Sequence, residues 1–408
     1  MIQQLRHTST SVTTFPHILC HLNVATAENF EIVIADVAGA FFHGEIDESE
    51  DTIYLRVPDR FPRRDPDGPR TVLRLKKNLY GLKSAGKRYE NAAFPIIEAA
   101  GLLSRPSDPC LFTNSATDQR LHADPATTIA GAMSDAESNG SEFDEALNPV
   151  TLRAHIYVDD QITTSKSLRE AMDLLSNINE SGLTYGAVGR IDRLLGHNFD
   201  ESEFGLHVDL RSYIDKIATE DFMELAVREV TQPVTKDEVR AGAFARAGDD
   251  YQASQEDIQY FARVMGLIQW CASTIRLDVA VPASRLGRCV VNPTPLNIKA
   301  AIRTLKYLCS TRDLGYTYHR QGSPEYEMLQ RTGMVNVLVA YSDSDFGGEG
   351  ATDMRSTSGG VVLLNKEPVI AYSRVQKRVC TSTAMAETLA LVEMVKTVEH
   401  LRRLLAQL

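Results

Sequence analysis

No stretch of this 408-residue chain approaches the ~18 consecutive apolar residues that a membrane-spanning helix needs, so no helical span is expected. The N-terminus, MIQQLRHTSTSVTTFPHILCHL, lacks a continuous apolar core and does not read as a secretory signal. Cysteine is sparse and dispersed. Cys20, Cys110, Cys271, Cys289, Cys309 and Cys380 include no Cys-x-x-Cys pair. That excludes a disulfide framework and a zinc-finger pattern, and predicts reduced core thiols in a reducing compartment. Positive net charge is also missing. The balance is −11, which argues against a uniformly basic nucleic-acid-binding surface. Internal repeats are absent.

What is present is an ordinary globular composition, 43% hydrophobic and 24% charged, over a length that suits two or three domains. The charge is unevenly spread. Arg60–Glu90 holds ten Lys/Arg against three acids, a local +7, whereas Asn114–Val150 holds seven acids against one Arg, a local −6. A basic stretch beside an acidic one suits a charged groove on an acidic protein, and equally a solvated surface. Strands are predicted at Glu31–Asp36, Ile53–Val57 and Val72–Leu75, and a helix over Lys87–Ala100. Residues 114–148 have little periodicity and read as a flexible acidic insertion. A hairpin is predicted over Leu152–Thr164, with helices at Leu168–Ile178, Tyr213–Leu225, Gln259–Ser273 and Leu296–Cys309. Thr231–Asp257 reads as a connection. A second αβ unit begins near Val335, with Val335, Val337, Val339, Tyr341 and Asp343 on one strand face. Gly360–Leu364 and Val369–Ser373 are its next strands. Thr383–Leu408 is a long helix with Glu387, Leu391, Met394, Val398, Leu401 and Leu405 on one stripe.

The chemistry concentrates in carboxylates. Tyr157-Val158-Asp159-Asp160 places two acids at a predicted hairpin tip, where side-by-side negative charges are costly unless a cation neutralises them. Asp36 ends a separate predicted strand. Three acids from two strands can hold two divalent ions roughly 3.5–4 Å apart, the arrangement that serves in-line displacement at phosphorus. In the second unit Asp343 and Glu387 can converge at one end of the sheet. An EF-hand loop starting at Asp343 is excluded, because Met354 stands where a bidentate Glu is needed. Asp345 reads as a surface residue.

Taken in order, these blocks resemble the reverse transcriptase and RNase H region of a copia-type retrotransposon polyprotein. DVAGAFFHGEI and IYLRVPDRF resemble the first catalytic block of that family. LRLKKNLYGLKSAGKRY, PSDPCLF and YVDD follow as its next blocks. LLGHNF, YIDKI and SRLGRCVVNPT continue the match, and YSDSDFGG and RSTSGGVVLL resemble its RNase H end. The resemblance implies an α+β fold. A palm-like polymerase domain would span 31–230, interrupted by the 114–148 insertion, after an unassigned segment 1–30. A helical thumb or connection would span 231–330, and a C-terminally truncated RNase H-like α/β domain 335–408.

The activity implied is RNA-directed DNA polymerisation, transferring deoxynucleotides from their triphosphates to a primer 3′-hydroxyl with two Mg²⁺ (or Mn²⁺) ions. By resemblance Asp36, Asp159 and Asp160 are catalytic metal ligands, and Asp343 and Glu387 those of the second unit. Phe41 matches the aromatic that selects deoxyribose, and Ser84 stands where the family has a nucleotide- or template-holding Gln. Arg74, Lys76, Lys77 and Lys83 are expected phosphate contacts to an RNA or DNA template–primer. Other polyprotein segments are further expected partners, and the implied location is cytoplasmic, in a virus-like particle, or nuclear; it is not secreted. His155, where the family has an aliphatic residue, reads as a strand substitution.

Departures from the family pattern set a second reading beside the first, a decayed or host-retained copy that binds nucleic acid without catalysis. A basic fingers segment is expected before the first catalytic strand and is not found there. Ser84 is short, the acidic insert would repel phosphate, and Met385 replaces a family Glu. The RNase H region is expected to need further strands, with another Asp, after Leu408.

Overall fold

A computed structural model describes residues 10–46, 52–57, 72–114, 150–219, 229–347 and 354–408. The predicted insertion 114–148 therefore lies almost wholly outside the described residues, as does the basic run 60–71. Two compact units emerge. One comprises residues 1–13, 33–189 and 408, the other residues 14–32 and 190–407. Strands and helices mix in both, which gives the expected α+β class.

The first unit is built on strands β1 (Glu31–Val37), β4 (Leu103–Arg105), β5 (Asp108–Thr113), β6 (Leu152–Tyr157), β7 (Asp160–Ser165) and β8 (Tyr185–Arg190), with a separate two-stranded ribbon of β2 (Tyr54–Arg56) and β3 (Val72–Arg74). The six-stranded sheet runs in the order β4-β5-β6-β7-β1-β8. Alternation divides its faces. Val37, Leu152, Ala154, Ile156 and Phe112 point to one side, where Ala93 and Ile97 of the Ala85–Ala99 helix and Leu174 and Ile178 of the Leu168–Glu180 helix close the core. Val33 and Ala35 meet Ala171 and Leu175 on the same side. β8 was not legible in the sequence, because YGAVGR has two glycines and five of its six residues are exposed, so no alternation marks it.

The opposite face carries a buried polar cluster. His155 Nε2 lies 2.8 Å from Thr13 Oγ1 and 3.1 Å from Asp108 Oδ2, and the Asp108 carboxylate also accepts the Thr13 hydroxyl and the Cys110 N–H. His155 is fully buried and Asp108 is 3% exposed. The histidine is thus the partner of the aspartate in the Asp-Pro-Cys block. Removing one member of a buried pair leaves the other undersolvated, so His155→Leu is expected to cost about 3 kcal/mol in denaturant unfolding. A loss below ~1 kcal/mol would show that Thr13 and Cys110 hold Asp108 by themselves.

The second unit has two antiparallel sheets. β9 (Arg193–Leu194), β10 (His197–Ser202), β11 (Gly205–Asp209) and β12 (Tyr316–His319) form one, in the order β12-β11-β10-β9; β13 (Leu338–Asp345), β14 (Thr357–Leu364) and β15 (Glu367–Val375) form the other. The Phe15–Ala27 helix, unassigned from sequence, buries eleven of its thirteen residues. A helix buried nearly all round has no stripe to read. The Arg211–Thr219 helix is described only to Thr219; the rest of the predicted Tyr213–Leu225 helix lies outside the described residues.

The Thr383–Leu405 helix packs on β13 and β14. Its buried stripe is Ala386, Ala390, Met394, Leu401 and Leu404, and Leu391 is 54% exposed, so the predicted stripe is shifted around the helix. Gly360 sets the contact. A Cβ there would stand 2.5 Å from the Met394 methyl and 2.6 Å from Tyr372, so both side chains would have to shift to admit one. Five of the six cysteines are buried and all are free thiols, with Cys20, Cys110 and Cys271 pushed up to about 12 by burial. Among the described residues no helix is long and apolar enough to cross a membrane.

Candidate active site

β6 and β7 form the predicted hairpin, with Tyr157 paired to Asp160, which leaves Val158 and Asp159 as a two-residue turn. Val158 has φ +57°, a left-handed conformation that costs a β-branched residue on the order of 1–3 kcal/mol. The neighbouring strand helps to hold the turn, since the Val37 N–H donates to the Asp159 carbonyl at 2.7 Å. That bond also brings the end of β1 to the hairpin tip. Asp36 and Asp160 alternate out on the sheet face opposite the two helices, because Val37 and Ile156 take the helix side. Gly186 on β8 keeps the space beside Asp36 open; a Cβ there would lie 3.3 Å from Asp36 Oδ2.

The charges of Asp159 and Asp36 reach Asp160. The Asp160 carboxyl is pushed up to about 6, first by burial and then by the negative charges of Asp159 and Asp36. None of the three has an ion-pair partner among the described residues. Nor do they form a closed cage, for among the described residues no three His, Cys, Asp or Glu side chains stand close enough to hold a metal alone. Mg²⁺ does not require one. It is usually bound by one or two carboxylates plus water and substrate phosphates, so a set of unneutralised oxygen ligands fits it.

An aromatic wall adjoins these acids. Phe41 lies in the Ala40–His43 turn after β1, with its ring 4.6 Å from Tyr80 and 6.1 Å from Tyr89, both edge-on, and Phe42 lies 5.8 Å from Tyr80. Phe42 and Tyr80 remain about half exposed, at 46% and 50%. The Tyr80 phenol is held protonated by burial, then by the charges of Asp159 and Asp36. Sequence reading passed over Tyr80; its place in the Leu-Tyr-Gly-Leu-Lys block was the available signal.

The other expected residues are placed less closely. Arg74 lies on the exposed β2–β3 ribbon, Lys76, Lys77 and Lys83 are exposed, and Lys77 bridges Glu45 through the backbone. Ser84 begins the Ala85–Ala99 helix without a side-chain capping bond. In the second unit Asp343 pairs with Gly359, one step off the row of Ser342, Gly360 and Tyr372, whose glycine faces Met394 of the helix. Alternation therefore directs Asp343 away from the helix that carries Glu387, and no hydrogen bond or ion pair joins the two. Asp345 pairs with Arg285 at 2.7 Å, in line with a surface role.

A strand-end aspartate beside an acid-tipped hairpin, in a mixed helix and sheet chain, agrees with what the comparisons give: the chain's homologues are retrotransposon Gag-Pol and Pol polyproteins. The chain is similar to the Transposon Ty1-GR3 Gag-Pol polyprotein of Saccharomyces cerevisiae, a copia-type element, at 22% identity over 408 residues covering 96% of this chain and 20% of that protein. It is likewise similar to the Transposon Ty1-BR Gag-Pol polyprotein of the same yeast, at 22% over 409 residues with the same coverage. A retrovirus-related Pol polyprotein from transposon RE1 of Arabidopsis thaliana is 25% identical over 369 residues, 90% of this chain and 21% of that protein. The chain thus spans about a fifth of the length of the curated relatives it matches. No protein-family model matches it.

Proposed function

We propose that the first unit is a palm-like RNA-directed DNA polymerase domain, followed by an RNase H-like unit, and that it transfers deoxynucleotides to a primer 3′-hydroxyl on an RNA or DNA template. The observation that carries this is the charge that Asp36 and Asp159 impose on the half-buried Asp160, with no basic partner for any of the three among the described residues, at the meeting of β1 and the hairpin. Bound Mg²⁺ would lower the pKa of the primer hydroxyl and stabilise the leaving pyrophosphate. Asp36 and Asp159 would supply oxygens to hold that ion and, through it, the triphosphate. Asp160 adds a third negative charge and can keep or release a proton near neutrality. Phe41 closes the side where a ribose 2′-hydroxyl would enter, and Arg74, Lys76, Lys77 and Lys83 offer cations to backbone phosphates.

Mg²⁺- or Mn²⁺-dependent extension of a primed RNA template by the purified full chain tests this. Tight binding of the primed duplex with no extension would instead support the non-catalytic reading.

A sharper expectation concerns Tyr80, whose ring backs Phe41. Tyr80→Ala is expected to lower discrimination against ribonucleotides about 10-fold, a loss on the scale of a misfit of one or two methylenes. Tyr80→Phe should leave it intact, since the ring contact survives. Single-nucleotide incorporation with matched ribo- and deoxyribonucleotides reads this out; equal selectivity in all three proteins would remove Tyr80 from the sugar side.

A further inference from the structure

The second unit contains a cleft of about 480 Å³ whose wall includes two imidazoles from opposite ends of the chain. His17 comes from the first turn of the Phe15–Ala27 helix and His400 from the last third of the Thr383–Leu405 helix. Their Nε2 atoms are 2.8 Å apart, with ring centroids 4.9 Å apart and planes at 42°. At that distance one Nε2 must donate its proton and the other accept it. Moving the donor's proton to its own Nδ1 is a neutral tautomer change, with no net proton released. Both Nε2 lone pairs then face the same 2.8 Å gap.

We propose that His17 and His400 form a two-imidazole site for a borderline transition-metal ion such as Zn²⁺ or Ni²⁺, with water from the cleft completing the coordination. Imidazole nitrogen favours these ions, whereas Mg²⁺ prefers carboxylate oxygen, so this site and the aspartate site take different metals. Tetrahedral Zn²⁺ at ~2.0–2.1 Å from each nitrogen asks for an N···N separation of roughly 3.3 Å. The rings need part by only a few tenths of an ångström each, within the play of a side-chain torsion. Both are carried by helices, which position ligands better than loops. His17 is 8% exposed and His400 is exposed, so the ion would be gripped on one side and reached from the other. The hydroxyls of Thr14, Ser273 and Ser284 line the same cleft and can hydrogen-bond the metal's waters.

The test is titration of the full chain with Zn²⁺, Ni²⁺ and Co²⁺ at pH 7.5 in excess Mg²⁺, with His17→Gln and His400→Gln beside it. One ion is expected per chain. Each variant should weaken binding at least about 10-fold, no less than the loss of an outer-shell partner costs at other metal sites. Co²⁺ should give weak visible bands without thiolate charge transfer, which separates this site from the cysteines. Affinity should fall on acidification, because protonated imidazole cannot ligate. His400 is exposed, so its variant is expected to melt like the wild type and keeps the test valid if His17→Gln unfolds. Affinity weaker than ~1 mM overturns the proposal and leaves a plain N–H···N hydrogen bond. So does binding that survives His400→Gln, or a Co²⁺ spectrum with thiolate absorption.

Discussion

Asp159→Asn is expected to reduce primer extension by at least about 10²–10³-fold, the scale on which a single lost transition-state contact acts. Asparagine has nearly the same shape and keeps an oxygen, so the hairpin survives. The Asp159 group that accepts from the Val37 N–H is its backbone carbonyl, which the substitution does not touch. What disappears is one negative charge at the tip, and with it part of the field that holds a divalent cation against the triphosphate. Binding of primed template should change little, because backbone contacts dominate that affinity. The check is a pair of measurements on one preparation, template–primer affinity and single-turnover extension over a range of Mg²⁺. Extension that persists in the variant would take the hairpin out of the chemistry. A variant that lost both binding and extension would point to a structural failure instead.

The second large effect runs in the opposite direction. In the absence of metal, Asp160→Asn is expected to stabilise the protein near neutral pH while removing activity. The Asp160 carboxyl titrates at about 6 in the folded chain, raised by burial and by its two acidic neighbours. The unfolded chain should titrate near 3.9, so the folded state holds this proton more tightly. Its contribution to stability is therefore complete below about 3.9 and is lost as pH rises through about 6. Above that the wild type carries three repelling carboxylates, and the variant carries two. Since Asp160 is only half buried, solvent screening trims the gain. A rise in Tm of about 2–4 °C at pH 7.5 is the expected scale for a unit of this size. The gap should close toward pH 4 and shrink when Mg²⁺ is added to the wild type. Melting curves across pH 4–8 settle it. A variant less stable than the wild type at pH 7.5 would mean that the Asp160 carboxylate is held by favourable contacts, and that the acids are not a repelling set.

Much of this site was legible before any coordinates. The hairpin over residues 152–164 was marked by β-branched residues on both sides of an acidic tip. Asp36 was marked by the apolar strand it ends, and both elements form where expected. The Leu168–Glu180 helix was equally plain, since an amphipathic stripe is a local property of the sequence. The contact of Tyr80 with Phe41 was not legible, because it depends on a loop folding back from about forty residues away. Nor was the helix Phe15–Ala27, whose apolar residues give no periodic signal.

The same boundary explains His155 and Asp343. His155 read from the sequence only as a strand substitution, and the fold alone revealed its contacts with Asp108 and Thr13. For Asp343 the sequence supplied a strand and an acid, but the register with Gly359 decided which face that acid takes. A one-residue step in register turns a side chain to the other side of a sheet.

By itself, then, the sequence determined the ancestry, the acid-tipped hairpin and most of the long helices, all of which rest on residue order and short-range periodicity. The tertiary structure alone decided which acids share a field, which aromatics stand beside them and which histidines meet across nearly the whole chain. Those are matters of register and of distance between segments remote in sequence, set by how sheets and helices close over a core.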